Sequence, residues 1–208
     1  MKRMTLSLPA SIWTFVILSG CAAIQVANEV QLGRNALQTG QPQAAIGYLR
    51  DAADLDPDYK TPYSIRESVW SYLGRAYYEV GNYPEARRAL ENALSKDKDD
   101  PLATLYLGLT LLRSGNEPAG RRDAETGLRG IDNLLNRLAS SPSSGIYWDP
   151  TRQIRSDIQK ALSVQGTLET AELISVGERV GRQLDEEIDN ARRAETNDRY
   201  NRGGSGDM

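Results

Sequence analysis

Residues 70–93 read WSYLGRAYYEVGNYPEARRALENA, and this stretch decides the fold. Trp70, Leu73, Gly74 and Tyr77 recur at the spacing of one helix face, and Ala86, Leu90 and Ala93 do the same further on. Gly81-Asn82 between them is a helix stop, because glycine accepts the left-handed backbone that follows a last turn. Two short helices joined by a tight turn are therefore expected. Gly74 and Ala86 are small enough to let them lie close together. Asp100-Pro101 reads as an N-cap followed by a first-turn proline, the start of another helix.

Sliding the chain along itself shows that this unit is repeated. Leu73, Gly74 and Gly81 map at 34 residues onto Leu107, Gly108 and Gly115, and Ala93 falls on Gly127. At 41 residues upstream the counterparts are Leu32, Gly33, Gly40, Ala45, Leu49 and Ala52. The seven extra residues fit a longer loop around positions 58–64, where Pro57, Pro62 and Tyr63 interrupt helical spacing. This pattern resembles the tetratricopeptide repeat: large residue, Leu-Gly, aromatic, Gly, aromatic, Ala, large apolar residue, Ala, Pro. The middle copy is nearly complete through Trp70, Leu73, Gly74, Tyr77, Gly81, Tyr83, Ala86, Leu90 and Ala93, with its proline displaced to Pro101. The first copy has Glu29 and Ala36 where large residues are expected but keeps Pro57. The third departs from the pattern at Glu117, Gly120 and Gly127. The resemblance covers roughly residues 26–134 and implies an all-α fold, an α–α superhelix of about three helix hairpins.

Beyond it, Leu128, Ile131, Leu134, Leu135 and Leu138 predict an elongated second helix in the third hairpin. Residues 140–144 break it, a further helix is expected to open at 146–150, and a long one runs from Leu168 to about Arg193. In that last helix Leu173, Val176, Val180, Leu184, Ile188 and Ala191 form a narrow apolar stripe, and Gly177 and Gly181 permit a close approach. Residues 141–200 are thus expected to be a helical cap on the repeats of 21–140, since a solenoid end needs covering. The stripe is long enough to pair instead with a partner or a second copy. The tail 201–208 is expected to be disordered.

The N-terminus is of another kind. Lys2 and Arg3 precede an uncharged apolar stretch ending Leu18-Ser19-Gly20-Cys21, the only cysteine of the chain. Basic, then apolar, then small is the order of a secretory signal over residues 1–20, and its end resembles the lipobox of bacterial lipoproteins. That resemblance implies that Cys21 is acylated and becomes the first residue, anchoring the chain in a membrane. Ala22, in place of Asp, implies the outer membrane, facing the periplasm. Removal of residues 1–20 with their two positive charges takes the net charge from −3 to −5. Such a balance does not suit a nucleic-acid groove. There is no histidine, which removes the commonest general base and metal ligand. Once Cys21 is acylated no thiol remains, so no cofactor, no metal site and no catalytic residues are expected. Asp97, Asp99 and Asp100 lack the glycine and terminal glutamate of a calcium loop.

The family resemblance also implies where partners bind. The first helices of the repeats line a concave face, to which Val30, Arg34, Leu37 and Gln38, then Ser71, Arg75, Tyr78 and Glu79, then Leu105, Leu109, Leu112 and Arg113 map. The arginines would offer guanidinium forks to carboxylates, and Tyr78 with the third copy would give an apolar floor. The expected partner is a segment of another envelope protein, an acidic one by charge; the alternative is that these arginines are solvated, or that the cap fills the groove itself. The expected role is a noncatalytic scaffold for envelope assembly. Self-association through residues 168–193 into a homodimer, or a carboxylate-dependent cell-wall hydrolase with a buried acidic pair in a deep cleft, are the competing readings.

Overall fold

The computed structural model describes residues 11–142, 145–163 and 168–204, with side chains from residue 23 to 198 and at 200. Among them are eight α-helices: α1 Ser11–Gln38, α2 Pro42–Leu55, α3 Val69–Glu79, α4 Tyr83–Lys96, α5 Pro101–Arg113, α6 Glu117–Ala139, α7 Gln153–Ser163 and α8 Thr170–Gly204. A short 3-10 turn, Gly145–Tyr147, precedes α7. Helices α1/α2, α3/α4 and α5/α6 are the three antiparallel hairpins, stacked in order.

Each hairpin turns in the same way. Gly40, Gly81 and Gly115 have φ of 70°, 76° and 83°, a region closed to most side chains. Their N–H groups bond back to Leu37, Tyr78 and Leu112, and those of Gln41, Asn82 and Asn116 to Ala36, Tyr77 and Leu111. This double bond pattern satisfies carbonyls that the helix end would otherwise leave unpaired. A proline in the first turn of the following helix completes each unit. Within the hairpins the helices almost touch: a Cβ on Gly108 would lie 2.1 Å from the Ala124 backbone nitrogen. Capping is equally local. Ser68 accepts from the Ser71 N–H and Asp100 from the Ala103 N–H, starting α3 and α5.

Apolar side chains fill two adjoining cores. One joins the first two hairpins through Leu37, Leu49, Val69, Tyr72 and Leu73. The other joins the second and third to α7 and α8 through Leu90, Leu105, Leu109, Leu128, Ile158, Val180 and Leu184.

Three local expectations differ from the structure. The helix anticipated at 146–150 opens only at Gln153, because Asp149 and Arg152 take positive φ. Asp149 instead folds its carboxylate onto the Ile154 and Arg155 N–H groups and the Arg155 guanidinium, acting as a cap from four residues ahead of α7. α8 does not end near Arg193 but continues to Gly204, so residues 201–204 of the tail expected to be disordered are helical. No proline or glycine interrupts that stretch before Gly203-Gly204, which leaves propagation unhindered. Residues 1–10 of the expected signal and 205–208 of the tail lie outside the described residues, as does the side chain of Cys21, whose backbone belongs to α1. Among the described residues no helix is long and apolar enough to cross a membrane.

Candidate partner-binding groove

The concave face is built where the first helices of the hairpins, α1, α3 and α5, stand side by side. α8 leaves α7, turns across this face and runs from the third hairpin back to the first. Its i, i+4 row Gly177, Gly181, Asp185, Asp189 faces the repeats, with Glu178 and Arg192 alongside it. Gly177 sits on Leu109 and Leu105, and Gly181 sits on the Tyr106 ring; a Cβ at Gly181 would lie 2.4 Å from the Tyr106 hydroxyl. Glycine at both places is what lets α8 settle onto α5.

Three arginines then take the acidic side chains of α8. Arg113 donates to Glu178 at 2.9 Å, and Tyr78 donates its hydroxyl to the same carboxylate at 2.6 Å. Arg75 forms a two-pronged pair with Asp185, 3.0 Å on one side and closer on the other, and reaches Glu67 at 3.3 Å. Arg34 meets Asp189 at 3.1 Å, and Gln38 donates to its other oxygen at 2.7 Å. Arg34, Arg75 and Glu67 are 1% exposed and Asp185 5%. The forked Arg75–Asp185 pair fixes orientation, and because it is desolvated, removing either partner would leave a buried charge uncompensated.

Tyrosines alternate with the guanidinium groups. Arg34 lies between Tyr63 and Tyr72, 5.2 and 5.6 Å from their centroids. Arg75 lies between Tyr72 and Tyr106, at 5.6 and 4.9 Å. Arg192 of α8 stacks on Tyr63 at 4.5 Å. Each stack contributes roughly 0.5–2 kcal/mol, more where water is excluded. Tyr78 continues the row edge-on to Tyr106. Burial lifts the Glu67 carboxyl to about 8; the Asp185 charge adds to this and Arg75 opposes it. Burial likewise raises the Tyr106 hydroxyl to about 12.

Of the residues assigned to the groove from sequence, Arg34, Arg75, Tyr78, Arg113, Leu105 and Leu109 come together around α8. Leu105 and Leu109 are covered, lying beneath Gly177, and Arg34, Arg75, Tyr78 and Arg113 are engaged by α8. Leu112 is turned toward Gly120 of α6. Leu37 and Tyr78 border the part of the groove that α8 leaves open, a cleft of ≈ 700 Å³ shared with Tyr83, Glu178 and Arg182. Of the possibilities raised for the groove, the chain's own C-terminal helix occupies part of it, and the three arginines pair with α8. The acidic side chains of α8, Tyr63, Tyr72, Tyr106 and Glu67 were not identified as participants from sequence. Tyr72 and Tyr106 are 34 residues apart, and that repeat relation was available as a signal. Glu67 sits in the loop before α3, just past the inserted stretch, where the 34-residue period places Pro101, so the repeat gave no signal for an acid there.

Two of the buried acids, Glu67 and Asp185, share the Arg75 guanidinium; Glu67 also lies at the wall of a cleft of ≈ 580 Å³ with Asp97, Asp99 and Asp100, but its side chain is only 1% exposed. Asp185 borders a cavity of only ≈ 50 Å³, room for about one or two waters and no sugar ring. Asp97 is taken by Lys60 at 2.7 Å and Asp100 by Ser71 and the α5 N-terminus. Among the described residues no acidic, cysteine or histidine group has the arrangement to hold a metal ion.

Residues 73–132, from α3 into α6, match the family model for the tetratricopeptide repeat. No curated protein matches the chain.

Proposed function

We propose that this tetratricopeptide repeat protein is a membrane-anchored, noncatalytic scaffold of a bacterial envelope, attached through acylated Cys21. Tetratricopeptide repeats serve protein–protein interaction and are generally noncatalytic, and the geometry of this chain gives that role a form. The observation that carries the reading is the concave face itself, which grips a helical polypeptide by Arg34, Arg75 and Arg113 against an aromatic floor. A surface shaped to hold α8 is shaped to hold a helix.

The address rests on the Leu18-Ser19-Gly20-Cys21 sequence. Two or more acyl chains anchor stably where a single one does not, and the outer membrane is the proposed destination. The partner is then a segment of another envelope protein, docking along Leu37, Tyr78 and Arg113 at the open cleft.

Two measurements test the reading. Metabolic labelling with a palmitate analogue labels the full chain and not Cys21→Ser; equal labelling of both, or none, removes the anchor. A photoreactive residue placed at Tyr83, on the cleft wall, crosslinks one discrete envelope protein in intact cells. Adducts formed only within the chain itself would refute the scaffold role.

A further inference from the structure

α8 is held in two different ways along its length. Its first half is packed: Leu173, Ile174, Val176 and Val180 are buried in the second core, and Arg121 of α6 binds the Leu168 carbonyl at 2.8 Å and the Thr170 hydroxyl at 3.0 Å. Close helix packing by α8 is against α5, α6 and α7. Its second half meets α1 and α3 across a gap, spanned by the long side chains of Arg34, Gln38 and Arg75. Ile188 and Ala191 still belong to the same second core as the first half, and Glu187 accepts from the Asp149 N–H; what this half adds toward α1 and α3 is polar.

The surface under that second half is also incompletely used. Arg34 Nε, Arg75 Nε, Glu67 Oε1 and the Tyr72 hydroxyl are buried without a hydrogen-bond partner in the protein. All four belong to the polar seam between α8 and the first two hairpins. Buried polar groups are costly to leave unpaired, and the ≈ 50 Å³ cavity against Arg75 and Asp185 shows that side chains of α8 do not fill this seam. The open cleft beside it, lined by Leu37, Tyr83 and Arg182, gives an incoming helix a place to land before displacement.

We propose that the surface beneath residues 185–198 is a docking site for an acidic amphipathic helix of another polypeptide, which replaces the second half of α8. The required chemistry is read from what α8 presents there: carboxylates at i and i+4 for Arg75 and Arg34, a branched apolar residue at i+3, and a small residue at i+6. Residues 170–184 stay docked throughout, so the displaced half remains tethered and rebinds when the partner leaves. Tethered competition lowers apparent affinity by the fraction of time the site is open, which makes this half of α8 a selectivity filter. The proposal rests on the scaffold reading. Its test uses purified protein and no envelope, so it fails or succeeds separately from the anchor and from the identity of the natural partner.

The probe is a fluorescent, end-blocked peptide of residues 182–198, with the Asp185→Asn/Asp189→Asn peptide as control. In the unmodified full chain, saturating probe accelerates amide exchange of 186–198 at least ten-fold and leaves 173–184 unchanged. The full chain carrying Asp185→Asn and Asp189→Asn binds the probe at least ten-fold more tightly than the unmodified chain, and adding Arg34→Gln removes the gain. The control peptide fails to bind either. Exchange that accelerates along the whole of α8, or is untouched by probe, overturns the proposal, as does tight binding of the control peptide. Sedimentation of the unmodified chain as a dimer whose mass halves on adding probe would assign the site to a second copy and overturn the partner reading. Should the double variant unfold, the exchange measurement on the unmodified chain decides alone.

Discussion

Glu67 offers the sharpest test of the buried polar seam. Its carboxyl is enclosed by Arg75 on α3, Asp185 on α8, Arg34 on α1, Asp100 at the start of α5 and the Tyr72 ring. Burial, then the charge of Asp185, holds its protonation midpoint at about 8 against an ordinary 4.5. Below pH 4.5 the group is protonated folded or unfolded and contributes nothing to pH dependence. Between 4.5 and about 8 the folded state retains a proton that the unfolded state releases, so stability falls as pH rises. Each unit of midpoint difference corresponds to about 1.4 kcal/mol, and the whole window amounts to on the order of 5 kcal/mol lost on going from pH 4.5 to above 8. Asp100 and Glu187 are raised in the same direction by burial, but they are present in every variant and cancel in a difference. Glu67→Gln keeps the shape of the protonated acid and cannot ionise. Urea unfolding of both proteins at pH 5, 6.5 and 8 should give curves that nearly coincide at pH 5. By pH 8 the variant should be more stable, by on the order of 3–5 kcal/mol. A constant offset across that range, or a variant that weakens as pH rises at the same slope as the parent, would refute the placement of Glu67 as a proton-holding neighbour of the Arg75–Asp185 pair.

Other expected outcomes follow from individual contacts. Gly108→Ala forces α5 and α6 apart, because the new methyl meets backbone and not a movable side chain; thermal and urea melts should show a loss of about 1–3 kcal/mol or more. Gly47→Ala, on the exposed side of α2 with open space at its Cβ, should instead gain about 0.5–1 kcal/mol in the same melts. Gly181→Ala pushes against the Tyr106 ring and should raise amide exchange in α8 while leaving α1–α4 protected. Asp149→Ala removes the cap of α7 and leaves the nearly buried Arg155 without its carboxylate; a destabilisation of roughly 2–4 kcal/mol is expected, read by chemical denaturation.

The repeats were legible because their cause is local. Small residues at Gly33, Gly74 and Gly108, turn glycines at 40, 81 and 115 and apolar faces at helical spacing each act within a single hairpin, and a fixed period multiplies the signal. The same holds for the elongated α6 and for the apolar stripe of α8. The start of α7 was misplaced because a carboxylate several residues upstream, Asp149, sets it, and periodicity does not register such a cap.

Where α8 goes is another matter. Its stripe fixes which face turns from water but not what covers that face, and the same pattern suits a cap, a dimer or a bound partner. That choice depends on Gly177 and Gly181 coming to rest on Leu109 and Tyr106, and on Asp185 and Asp189 finding Arg75 and Arg34 across 110 and 155 residues of chain. Pairing over such distances leaves no periodic trace, and Glu67 has no acidic counterpart in the other repeats. Helical spacing, turns and small residues specify the hairpins by short-range sterics; the groove and its occupant emerge only from the packing of distant surfaces, where desolvation decides which charges must meet.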